Sequence, residues 1–185
     1  MLEIIIYKYF RDFFQKIKED KKLKKIFILA IFLLNLSIYS IPLYFFHNYI
    51  IIIPKDVLNN FAYFLYLILK NIIDISINGN ILVVKNLYFV VDQSCIGLKS
   101  ILAIFSIIFA TPITKYNIKI KYFLMYIPIL FFLNIIRIVS TIFLFYFYNI
   151  NVYFVHDILW EIFTTLAIII LWLIFYRKNK EYLLN

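Results

Sequence analysis

The chain is poor in the residues that build disulfides and metal clusters. It holds one cysteine, Cys95, and two histidines in 185 residues. A single thiol excludes an internal disulfide and a CxxC zinc site. It also disfavours dithiol redox chemistry, which needs a second cysteine. Charge is scarce as well: Asp, Glu, Lys and Arg make up 16% of the chain, against about 25% in soluble domains. With 65% hydrophobic residues and a mean hydropathy of +0.92, a soluble domain of this size is excluded. Glycine, with 2 residues, is equally rare. We assign no function to that bias or to the surplus of Ile, Asn, Lys, Tyr and Phe beside it. Internal repeats, low-complexity tracts and flexible linkers are absent.

What is present is a series of apolar runs of membrane-spanning length, which points to an integral membrane protein with one domain. A net charge of +9 would suggest nucleic acid in a soluble protein. Here the Lys and Arg flank apolar runs, so they set topology and no nucleic-acid partner is expected. Residues 1–25 carry an apolar start and then RDFFQKIKEDKKLKK, a cytoplasmic interfacial helix with a basic flank. A small-residue cleavage site does not follow, so this is not read as a signal peptide. Residues 26–185 form the membrane domain. Its first span, 26–46, starts on the cytoplasmic side at Lys21, Lys22, Lys24 and Lys25, which leaves His47 outside. The basic stretch KYNIKIK, 115–121, is read as a cytoplasmic loop between spans 96–114 and 122–148. The last span, 155–176, ends at IFYRKNK, again inside.

Residues 57–76 are apolar enough to suggest a further crossing, which would invert everything after it. Their pattern argues against that. Asn59, Tyr63, Tyr66, Lys70 and Asp74 share one face; Phe61, Leu65, Ile68 and Ile72 share the other. Lys70 and Asp74 can pair at i,i+4, and a central Lys would cost about 2.5–3.5 kcal/mol in a span. The segment is therefore expected to lie on the outer surface. After it, Asn78-Gly79 signals a turn, and ILVV and LYFVV flank Lys85-Asn86. A small β-hairpin or three-stranded meander follows, so residues 57–94 form an outer unit. The expected architecture is an all-α integral membrane bundle of about four transmembrane helices, with an outer interfacial helix and a small β-hairpin.

Three polar groups fall at one depth in this scheme. Asp92 or Ser94 can cap the helix that follows, which puts Cys95 in its first turn. There the positive end of the helix dipole favours thiolate, and Lys99, one turn on, adds to that. Gly97 permits a close approach. Arg137 is the one charge between Tyr122 and Tyr148, about 22 Å along the helix from Tyr122 at ~1.5 Å per residue. Asn134 shares its face. Buried arginines in spans usually face the bundle or a water-filled cavity. His156 opens the last span beside Asp157, with Trp160 as an interfacial anchor. Glu161 lies deeper, within reach of Arg137 or Lys99. Each has a plainer reading: a small hydrophobic thiol, a snorkelling arginine, an interfacial histidine, with His47 as a rival. Together they make a nucleophile–base pair with a guanidinium placed for an oxyanion. One Cys and one nearby His fall short of a zinc ligand set, so neither metal nor cofactor is expected.

CIGLKS at the start of one span, NIIRI in the next and His156 opening the last resemble the exosortase/archaeosortase family. NGN-ILVV-KN-LYFVV-DQS resembles the segment before that family's cysteine, and the likeness covers roughly residues 57–176. It implies a membrane cysteine transpeptidase acting outside the cytoplasm. Cys95 would match the nucleophile, Arg137 the arginine and His156 the third active-site position. Some archaeosortases carry a second arginine there, so the histidine leans toward the exosortase pattern. The resemblance further implies substrates with a short motif, a C-terminal helix and a basic tail. A lipid acceptor and a multi-pass plasma-membrane location with an outward-facing site complete the expectation. A non-catalytic assembly or transport subunit stays open beside it.

Overall fold

The structure is a computed structural model that describes residues 19–48, 50–113 and 115–182. Of the interfacial segment expected at 1–25, residues 1–18 lie outside the described residues.

Helix α1, Lys21–Tyr39, begins where Asp20 caps it, its carboxylate accepting from Lys22 N at 2.7 Å and Leu23 N at 3.4 Å. That satisfies two of the amides left open at a helix start. The short α2, Ile41–His47, continues the rod with Pro42 in its first turn, where a missing N–H costs nothing. Helix α3, Lys55–Leu69, has 15 residues, about 22 Å at ~1.5 Å per residue. It buries Phe61, Ala62, Leu65 and Leu69. Phe61 and Leu65 were expected on this face. Ile72 was too, but it is 56% exposed, because the helix has already ended. Lys70 lies 5.9 Å from the Tyr66 ring centre, and among the described residues it forms no ion pair with Asp74.

Three short strands follow: β1, Ile75–Asn78; β2, Ile81–Val84; and β3, Leu87–Val90. They form an antiparallel meander in the order β1-β2-β3. Asn78 pairs with Ile81 and Val84 with Leu87. The two turns therefore centre on Gly79-Asn80 and Lys85-Asn86, the first one residue later than the Asn78-Gly79 signal. Gly79 and Lys85 supply the positive φ these tight turns need. The sheet turns Leu82 and Val84 onto Phe61, Leu65 and Leu69 of α3, and onto Ile138 and Ile142 further along.

Beyond a 3-10 turn, α4 covers Leu98–Ala110, α5 Tyr116–Tyr148 and α6 Trp160–Asn179, the last preceded by a wide π turn over Phe154–Leu159. Two expectations change here. The span placed at 96–114 is a helix of 13 residues, about 20 Å long against a bilayer core of ~30 Å. The turn and Gly97 consume its start, and Pro112 drives Thr111 into extended backbone at its end. KYNIKIK, expected as a loop, is instead the first turns of α5, which has 33 residues. Lys119 of this stretch is buried and donates to Phe109 O at 2.9 Å, closing the end of α4.

Among the described residues, three helical stretches are long and apolar enough to cross a membrane: Lys21–His47, Tyr116–Tyr148 and Phe154–Tyr182. Short α4 sits among them, packing on α1, α2, α5 and α6. Ser106 Oγ ties it to Tyr39 O at 2.9 Å. Ile104 and Ile108 meet Tyr126, Leu130 and Phe175 in a second core. The result is a helical membrane protein with a small antiparallel sheet.

Leu82 is fully buried between sheet and helices, whereas Tyr88 on the opposite face is 71% exposed. Leu82→Ala is expected to lower unfolding stability in detergent by about 2–5 kcal/mol. Tyr88→Ala should leave it within about 0.5 kcal/mol of the parent.

Candidate active site

The chain leaves β3 at Val90 and enters the 3-10 turn Gln93–Ile96. Asp92 caps this turn by accepting from Ser94 N at 2.8 Å and from Ser94 Oγ. The turn is anchored on its far side by buried Gln93, whose Nε2 donates to Phe46 O at 3.3 Å. Gly97, with φ of 82°, ends the turn and allows α4 to start in a new direction. That backbone favours glycine. Space demands it too: a Cβ here would lie 2.9 Å from Asn134 Cβ and Cγ. Asn134, on α5 and 5% exposed, then donates from Nδ2 to Cys95 O. The close approach expected at Gly97 is thus made by the Asn134 side chain.

Cys95 lies in the 3-10 turn and not in the first turn of α4. Its Sγ–H points at Asp92 Oδ1, 3.4 Å away, with Val90 O at 3.9 Å. Burial pushes the thiol above its ordinary range. The Asp92 carboxylate adds to the rise through its charge and its hydrogen bond. The Asp92 backbone contact and the Arg137 charge only partly offset this. Burial would raise Asp92 as well, but hydrogen bonds from Ser94 and Cys95 outweigh it and hold the carboxyl below its usual value. The expected stabilisation of the thiolate by the helix dipole is thus opposed by burial and by the Asp92 carboxylate beside the sulfur. Sequence reasoning identified Asp92 as a cap and missed its contact with sulfur. The three-residue spacing within a tight turn is the signal that could have found it.

Arg137 lies one turn beyond Asn134. Its Nη2 reaches Ser94 O at 3.5 Å. Its Nε is buried with no hydrogen-bond partner among the described residues. Glu161 forms no ion pair with Arg137 or Lys99 among those residues. His156 sits in the wide turn before α6, with Nδ1 2.5 Å from Asp157 Oδ1. His47 lines a separate depression with Ser40 and Tyr44.

Two clefts meet here. One, about 330 Å³, is lined by Lys99, Arg137, His156, Asp157 and Glu161, among others. The second, about 350 Å³, is mostly apolar and runs from Phe89 and Val90 past Cys95 to Ile138, Ile142 and His156. Ser94 and His156 line both. Cys95 thus lines the apolar groove and Arg137 the polar cleft, with Ser94 and His156 between them. Lys99 lines the polar cleft only. Among the described residues, no cluster of His, Cys, Asp or Glu could hold a metal ion.

A transmembrane exosortase family model matches residues 20–176. The chain belongs to the transmembrane exosortase family. The match runs from α1 through most of α6, so it takes in all of the sheet, the cysteine turn and both clefts of this exosortase. No curated protein and no solved structure matches the chain.

Burial and, after it, the Asp92 carboxylate set the pH response of this exosortase's thiol. Alkylation of Cys95 by a small haloacetamide should show a midpoint above the ordinary thiol value of about 8.5. Asp92→Asn removes a negative charge and leaves the thiolate easier to form. The midpoint should fall and the rate at neutral pH should rise. An unchanged profile would show that Asp92 does not govern the sulfur.

Proposed function

We propose that this exosortase is a membrane cysteine peptidase and transpeptidase. It cleaves C-terminal sorting segments of exported proteins on the non-cytoplasmic side of the plasma membrane and transfers them to a membrane anchor. The observation that carries the reading is the sharing of one site by three unlike groups. The only thiol of the chain opens on a groove that His156 also lines. The Arg137 guanidinium reaches the carbonyl of the residue before that thiol.

The substrate's own C-terminal helix and basic tail dock beside the spans, so its scissile bond is held near Cys95 without a large pocket. The Cys95 thiol loses its proton to His156 as sulfur attacks the scissile carbonyl. The Asp157 contact occupies Nδ1, and in this reading proton transfer runs through Nε2. Arg137 stabilises the oxyanion that forms, through the guanidinium where it lines the polar cleft. The proton on His156 passes to the departing amine, and the acyl group stays on sulfur as a thioester. An amine or hydroxyl of a lipid headgroup then attacks the thioester, and the thiol is regenerated. In this reading Asn134 and Gly97 position the turn, Asp157 orients the imidazole, and Lys99 adds positive charge to the polar cleft. A raised thiol pKa fits this scheme, since sulfur stays protonated until a base is brought to it.

One observation favours the competing reading of a non-catalytic assembly or transport subunit. Cys95 is half-buried and hydrogen-bonded to Asp92, as an inert thiol would be. A reporter library separates the two. Each member carries an exported tag, a short randomised segment, an apolar helix and a Lys/Arg tail. Cells with the parent chain should release or re-anchor a subset of tags, and Cys95→Ala should reduce this to background. Arg137→Lys is expected to slow processing about 10²–10³-fold, the usual loss for an oxyanion donor. Processing unaffected by Cys95→Ala would favour the scaffold.

A further inference from the structure

We propose that the outer edge of β3 is the docking strand for the substrate: an extended peptide segment next to the scissile bond adds to the sheet as a fourth strand. This rests on the peptidase reading above and names how that site takes its substrate.

Among the described residues, strand β3 pairs with β2 on one side only. The phase of that pairing is fixed at its end, where Val91 N donates to Asn80 O at 2.8 Å. The register pairs Leu82 with Phe89 and Val84 with Leu87. In an antiparallel ladder, residues alternate between bonding to the neighbour and pointing away. Leu87, Phe89 and Val91 therefore bond inward to β2, Tyr88 turns its N–H and C=O to the open side, and Val90 turns its N–H there beside a C=O that faces the Cys95 thiol. The sulfur sits on that side, since Cys95 Sγ is 3.9 Å from Val90 O. An added strand would run ~4.8 Å from β3, which carries its main chain past the thiol.

The surroundings suit a peptide better than a lipid chain. The open N–H and C=O groups need a partner with the same repeat, which a main chain has and an acyl chain lacks. Beside them runs the apolar groove, walled by Phe89, Val91, Ile138 and Ile142. Alternate side chains of the added strand would enter it, so the docked segment carries apolar residues at every second position. The edge is also held still. Lys85, in the β2–β3 turn, donates from Nζ to Tyr146 O at 2.6 Å and lies 4.9 Å from the Tyr146 ring centre. That fixes the hairpin to the end of α5, the helix that carries Asn134 and Arg137. Exposed edges are usually blunted against unwanted pairing; this one is short and ends at the thiol.

Cross-linking tests the docking without turnover. Tyr88→Cys is placed in the Cys95→Ala chain, so the new thiol is the only one. The reporters of the library receive a single cysteine at each position of the randomised segment in turn, and disulfides are formed under mild oxidation. The expected result is cross-linking at alternate reporter positions. Cross-links recurring every three or four positions, disulfides only between two copies of the chain, or none at all would overturn the proposal. A second variant reads the same edge by kinetics. Val90→Pro removes one outward N–H and should raise KM about fivefold to tenfold, the loss of one hydrogen bond, with kcat nearly unchanged. Equal KM values for Val90→Pro and the parent would also contradict it. Failure of the peptidase reading is distinguishable, because it appears as processing that survives Cys95→Ala whatever the cross-links show.

Discussion

The site depends on one close contact, that of the Asn134 side chain against Gly97. A methyl group at position 97 would lie 2.9 Å from two Asn134 carbons, and the amide of Asn134 holds the Cys95 carbonyl. Gly97 also needs its positive φ. The same two residues therefore end the cysteine turn, aim α4 and lock the turn onto α5. Arg137 follows Asn134 by three residues, so any shift of the clasp moves the guanidinium and the thiol together. Fixing groups through packed and hydrogen-bonded neighbours is the general requirement for a working site.

From that clasp the division of the site follows. Ser94 of the 3-10 turn borders both spaces. Cys95 looks into the apolar groove and Arg137 into the polar cleft. The groove is continuous with the sheet edge, and the polar cleft is lined by residues of α4, α5 and α6. In the proposed transpeptidation scheme the acyl donor must reach the sulfur, and the acceptor the thioester carbon formed there. His156 lines both spaces, so in that proposal donor and acceptor have separate approaches.

Much of this was legible in the chain itself. Cys95, Arg137 and His156 stood out because each is a rare polar group in an apolar run, and their order carried the family resemblance. The strands were legible from β-rich runs between turn residues. Other features were not. Apolarity continues through Ile113, so hydropathy could not reveal that α4 stops at Ala110; Pro112 was the local cue. The basic run 115–121 looked like a loop because Lys usually marks one. Lys119 instead turns inward to a helix-end carbonyl. The contact of Asp92 with sulfur arises from a tight turn, where an i,i+3 pair meets by backbone geometry that composition does not encode. Pairing of Glu161 with a cation was plausible by position, but Arg137 finds the Ser94 carbonyl.

The clasp is tested most directly by a double-mutant cycle between Gly97→Ala and Asn134→Gly, measured by unfolding in detergent. Gly97→Ala alone should be strongly destabilising. In the Asn134→Gly background its cost should shrink, because the opposing atoms are gone and only the backbone strain at position 97 remains. Costs that add within about 0.3–0.5 kcal/mol would show that the two residues do not bear on each other, and would contradict the account.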